Sequence, residues 1–120
     1  MLEGNAALVR GDFSAAEIAA REVLRFTESR SVDAQFLLAQ ALNGKGALQS
    51  AAVAFDDTYT LNPHGEFAQP ALLGLAKSLI SLNEMRAACA TLYRLRAEFP
   101  NPRADLREPI SNAHQRAGCR

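Results

Sequence analysis

The sequence has no surplus of charge of either sign: 13 Lys and Arg stand against 13 Asp and Glu in 120 residues. A neutral domain lacks the basic patch by which proteins engage nucleic acid, so no nucleic-acid partner is expected. Long hydrophobic runs are missing too. The longest clean apolar stretch, Leu72 to Ala76, stops at Lys77, far short of the roughly 20 residues of a membrane helix. No membrane insertion is expected. The opening Met1-Leu2-Glu3-Gly4-Asn5 has neither a basic flank nor an apolar block, so no secretion signal is expected there. Cysteine is scarce: Cys89 and Cys119 cannot hold a zinc ion by themselves. No segment alternates apolar and polar residues over strand length, which argues against a sheet. Apolar residues still make up 48% of the chain and charged ones 22%, the balance of a globular domain and not of a disordered one. The length suits one domain with a core of its own.

Alanine is the commonest residue and the best helix former. Pro63, Pro70, Pro100 and Pro102, with Gly44, Gly46 and Gly65, punctuate the chain. Between the breaks, apolar residues recur three and four apart, as in Ala88, Leu92, Leu95 and Phe99. The pattern predicts helices over about 1–10, 13–27, 31–44, 47–61, 68–82, 85–98 and 102–117. Pro109, inside the last, is expected to kink or break it.

The helices repeat. Gly11, Gly46 and Asn83 open equivalent turns, and the same residue types recur around them. Seven residues before stand Gly4, Ala39 and Ala76; five after stand Ala16, Ala51 and Ala88; nine after stand Ala20, Phe55 and Leu92. Seventeen after stand Glu28, Pro63 and Pro100, so the first repeat is the least regular. The spacing of 35 and then 37 residues is close to the roughly 34 of a tetratricopeptide repeat (TPR). Each offset has a reason. Small residues let the two helices of a pair cross closely, and larger ones (Phe13, Leu48, Met85, Phe55, Leu92) fill the space between pairs. The turn residue takes the left-handed conformation that ends a helix. The reading is an all-α, TPR-like α-solenoid in a single domain, 1–120. Its repeats cover about 1–28, 31–63 and 68–100, and a C-terminal helix, 102–117, caps the last hairpin.

Certain stretches are more particular than the repeat. Leu72-Leu73-Gly74-Leu75-Ala76-Lys77-Ser78-Leu79, Ala87-Ala88-Cys89-Ala90-Thr91-Leu92, Phe99-Pro100-Asn101 and Arg116-Ala117-Gly118-Cys119 are among them. With the opening Leu8-Val9-Arg10-Gly11-Asp12-Phe13, they resemble the C-terminal TPR domain of the Tol–Pal system family YbgF/CpoB, the cell division coordinator. The chain departs from that family at Gly46-Ala47-Leu48, where Gly-Asp-Tyr is usual, and at Phe36 and Ala39. The family's N-terminal signal peptide and trimerising coiled coil are absent from the chain, and the resemblance leaves open a homo-oligomer through such a coiled coil outside it. The resemblance implies a periplasmic, non-enzymatic adaptor. Its partner would be TolA, and it would coordinate outer-membrane constriction with peptidoglycan synthesis in cell division.

Catalytic chemistry is sparse. Gly44-Lys45-Gly46 lacks the flanking residues of a phosphate loop. His64 and His114 are isolated, and no metal site or cofactor is expected. Cys89 and His114 have no oxyanion partner, so no enzyme is expected. Arg94, Arg96, Arg103 and Arg107 either meet an anionic partner or form a solvated face with Glu98, Asp105 and Glu108. Cys89 and Cys119 are either bridged, as suits an oxidising compartment, or free, one buried and one in the tail.

The first helix of each TPR pair lines the concave face. Its rows read Met1, Phe36 and Leu73; Asn5, Gln40 and Lys77; and Leu8, Asn43 and Ile80. They describe an apolar floor beneath a polar ladder, suited to a peptide partner. The expected partner-binding residues are Asn5, Phe36, Gln40, Asn43, Leu73, Lys77 and Ile80. Two functions fit: the periplasmic TolA-binding adaptor, or a generic TPR scaffold or co-chaperone for another peptide in the cytoplasm.

Overall fold

Turn residues set the architecture before any packing does. In the computed structural model, which describes residues 1–26 and 31–119, Gly11, Gly46 and Asn83 have φ of 80°, 81° and 62°. A Cβ on Gly11 or Gly46 would meet nothing within 4 Å. Backbone conformation, not space, therefore selects glycine at these two positions. At all three turns the same pair of bonds closes the helix end. The turn residue's N–H reaches back three residues, and the next N–H reaches back five, as in Asp12 to Ala7 (2.8 Å), Ala47 to Leu42 (2.9 Å) and Glu84 to Leu79 (2.8 Å). This is the Schellman pattern, which satisfies carbonyls the helix cannot reach itself. The turns deliver α1 (Leu2–Val9) into α2 (Phe13–Phe26), α3 (Val32–Gly44) into α4 (Leu48–Leu61), and α5 (Ala68–Ser81) into α6 (Met85–Glu98).

The helices of each hairpin cross at the expected small residues. Ala16, Ala39, Ala51, Ala76 and Ala88 are fully buried, and Gly4 is buried with them. Successive hairpins then stack, α2 on α3 and α4 on α5. Large side chains wedge between them: Phe13 lies against Gly44, and Phe55 against Gly74. Two apolar clusters result. One runs from α1 to α5 through Leu24, Leu37, Leu42, Phe55 and Ala71. The other joins α5 and α6 to α7 (Ala104–Ala117) through Leu72, Leu92, Leu95 and Ala113. A fully buried leucine such as Leu92 is worth about 1.5–3 kcal/mol in each. The molecule is an all-α, TPR-like solenoid of three helical hairpins with a C-terminal capping helix, and no strand occurs among the described residues. Glu28, the irregular position of the first repeat, lies outside those residues.

The capping helix departs from expectation twice. It begins at Ala104, not at residue 102. The Arg103 N–H is bonded to Gln69 Oε1 at 3.0 Å, and Arg103 stays extended at ψ 140°. Pro109 does not break α7, which continues to Ala117. Its fixed φ suits a helix, and its costs, one lost N–H bond and crowding of the carbonyl four residues back, fall on a single turn. Leu106, Ile110, Ala113 and Ala117 meanwhile hold both halves against the second cluster. Gly118, at φ 69°, turns the chain so that Cys119 meets Cys89 with Cα atoms 5.5 Å apart and the sulfurs at disulfide distance.

Candidate functional site

α3 and α5 lie side by side on the inner face and carry matching stripes. Phe36, Gln40 and Asn43 are spaced four and three apart, and Leu73 and Lys77 on α5 are four apart. Side chains at that spacing share one face of a helix. With Leu8 of α1, Phe55, Pro70 and Gly74 they line a cavity of about 320 Å³. This is near the lower end of ligand-pocket sizes, about 300–1,000 Å³.

The floor is aromatic. Phe36 meets Phe55 edge-on with centroids 6.1 Å apart, and Phe67 at 5.0 Å. Gly74 makes this possible: a Cβ there would lie 2.5 Å from Phe55 Cε1, so any larger residue would push the ring from the groove. Pro70 is tolerated because it sits in the first turn of α5, where N–H groups have no intrahelical acceptor. The rim is polar. Gln40 is half-buried and Lys77 exposed. Asn43 Oδ1 accepts from the buried Ser78 Oγ at 3.5 Å, which ties the rim of α3 to α5. Among the described residues no ion pair reaches Lys77.

Five of the seven residues expected on the groove are brought together here: Phe36, Gln40, Asn43, Leu73 and Lys77. Two are not. Asn5 is exposed on α1 away from the cavity. Ile80 is 7% exposed and belongs to the second core cluster. Its row lies beside the buried crossing row Gly4, Ala39 and Ala76, and the other two members of its own row, Leu8 and Asn43, do line the cavity.

Phe55 read from sequence as a spacer between hairpins, and it is also groove floor. The extension beyond Lys77 was missed altogether. Lys77 also borders a second cavity of about 340 Å³ with Pro109, Asn112, Ala113 and Arg116 of α7. The inner surface therefore continues onto the capping helix. Neither cavity is lined by an acidic side chain, and Lys77 and Arg116 give this end of the surface a positive character.

The other sequence candidates fall elsewhere. Lys45 pairs with Glu17 at 2.7 Å, and Arg21 with the same carboxylate at 2.9 Å. Those hydrogen bonds hold Glu17 below the usual carboxylate range. The Tyr59 hydroxyl donates to Glu98. That bond first, and burial second, raise the phenol above its ordinary value. No group of His, Cys, Asp and Glu among the described residues is arranged to hold a metal ion. No helix among them is long and apolar enough to cross a membrane.

Residues 70–102 match the family model of the tetratricopeptide repeat. The match spans nearly all of α5, the turn at Asn83 and α6. It falls on the hairpin that carries the α5 side of the groove. A search of curated proteins finds no match to the chain. Tetratricopeptide repeats are interaction modules, so the matched hairpin supports a protein-binding scaffold with a protein partner.

Proposed function

We propose that the chain is a non-enzymatic, periplasmic adaptor of the Tol–Pal envelope system. In this reading the α3–α5 groove binds a segment of TolA and so links outer-membrane constriction to peptidoglycan synthesis. One observation carries the binding role: two adjacent hairpins bring to one cavity an aromatic floor, a polar rim and a lysine with no ion pair among the described residues. Apolar anchors of a peptide would enter over Phe36, Phe55 and Leu73. Gln40 and Asn43 would meet its backbone, and Lys77 with Arg116 would favour an acidic residue beside it.

The choice of partner rests on the resemblance of the third hairpin and the chain end to the YbgF/CpoB family. The compartment is supported by Cys89 and Cys119 at disulfide distance, since disulfides persist where thiols are not kept reduced. That pairing also weighs against a cytoplasmic co-chaperone. The test is calorimetric titration of a TolA domain against the wild-type chain and a Gln40→Ala/Lys77→Ala variant. The wild type should bind, and the variant should bind about tenfold more weakly with an unchanged melt. Absence of binding to the wild type would reject the Tol–Pal assignment. Equal binding by both proteins would reject the groove.

A further inference from the structure

The four clustered arginines are not equivalent in the fold. Arg103 grips Asp105 through two bonds of 3.2 and 2.9 Å and reaches the Glu66 carbonyl at 3.3 Å. Arg94 lies over the Tyr59 ring, 5.8 Å from its centroid. Both are used in holding the solenoid together. Arg96 and Arg107 are left. Arg107 Nε makes one long contact of 3.4 Å to the Pro102 carbonyl. Among the described residues no ion pair reaches either side chain.

These two arginines line a cavity of about 260 Å³ between α6 and α7, together with His114 and an apolar wall of Phe99, Pro102 and Ile110. No acidic side chain lines it, and it shares no residue with the groove. His114 Nε2 is buried without a hydrogen-bond partner. Buried polar atoms are nearly always satisfied, and this one, shielded from solvent as the ring stands, would reach a ligand by a turn of the imidazole. Arg96 lies near enough to act on the imidazole by its charge. Two arginines and an imidazole ring thus line one cavity beside an apolar wall.

We propose that this cavity is a second recognition site, for the free terminal carboxylate of a peptide whose last side chain is apolar. The guanidiniums of Arg96 and Arg107 take the two carboxylate oxygens, the geometry at which arginine excels. On binding, the His114 ring, which lines the cavity, turns so that Nε2, protonated in that tautomer, donates to the same group. The terminal side chain lies on Phe99, Pro102 and Ile110. The volume is below that of pockets for drug-sized ligands, about 300 Å³ and upward, and suits a single residue. An internal aspartate or glutamate would leave the apolar wall uncovered.

The probe is an amino-acetylated tripeptide ending in leucine, as the free acid and as the amide, titrated into the full chain. The acid should bind, and the amide should bind about tenfold more weakly or not at all. Arg96→Gln/Arg107→Gln should lose the preference for the acid. In NMR spectra of the wild-type chain the His114 ring resonances should move with added acid while those of His64, in an exposed loop, stay in place. The ring resonances decide the matter even if the double variant folds poorly. Equal binding of acid and amide, no binding of the acid, or an unmoved His114 ring would overturn the proposal.

Discussion

The first and third hairpins share one topology, one turn conformation and buried small residues at the crossing, Gly4 with Ala16 and Ala76 with Ala88, yet their outer faces differ. In the first, Leu2 and Val9 are 87% exposed, Phe26 77% and Ile18 68%. In the third, the only large apolar side chain so exposed is Tyr93, at 41%. The third hairpin carries α7 across it, fastened by Leu106, Ile110, Ala113 and Ala117 and by the cysteine pair. The described residues put nothing comparable on the first. Hairpin sequence therefore sets the crossing, and the neighbour sets the exposure, as expected where each repeat contacts only the units beside it.

Removing the fastening should have the largest effect. Reducing the Cys89–Cys119 pair reopens a loop of 30 residues and should cost about 3–4 kcal/mol in the chain-entropy model. Melts with and without reductant check this, and mass spectrometry after alkylation counts the free thiols. Two alkylated cysteines in unreduced protein would remove the distinction between the hairpins at its strongest point. Next comes the crossing. Ala88→Leu should overpack α5 against α6 and cost about 1–3 kcal/mol. An unchanged denaturation midpoint would show that the crossing sits elsewhere. On the open face of the first hairpin, Ile18→Ser should stay within about 0.5 kcal/mol of wild type by the same measurement. A larger loss would mean that this face is covered in solution.

Acid should separate the hairpins more gently. Burial first, and Arg96 second, hold His114 below its ordinary value of 6.5. The unfolded chain takes up that proton first, so stability should decline as pH falls below 6.5 toward the lower folded-state value. Glu17 in the first hairpin is lowered from 4.5 by Lys45 and Arg21. Its contribution is present above 4.5 and fades only as pH falls below it. Amide exchange across the pH range should loosen α6 and α7 before α2, and His114→Gln should abolish the earlier phase.

Much of the fold was legible because its determinants are local and repeated. A left-handed turn residue, a small residue at a crossing and a wedge such as Phe55 each act within one hairpin or between neighbours. Those positions carry the same residue types at fixed offsets. What escaped depends on lateral packing. Pro109 reads as a kink or a break, and the contacts of α7 keep it within one helix. Ile80 reads as groove by its row, yet of that row only Leu8 and Asn43 line the cavity, and the offset alone does not separate them. Asn112 and Arg116 were invisible as surface neighbours of Lys77, since α7 belongs to no repeat and its register on α5 has no counterpart earlier in the chain. The arginines looked like one cluster in sequence, and only their partners in space divide them.

The central claim is that the α3–α5 groove is where a protein partner binds, and backbone amide shifts on titration with a TolA domain test it most directly. The account predicts changes concentrated at Phe36, Gln40, Asn43, Leu73 and Lys77 and spreading to Asn112 and Arg116 on α7. Changes centred on Arg94 and Arg103, with the groove residues unmoved, would contradict it.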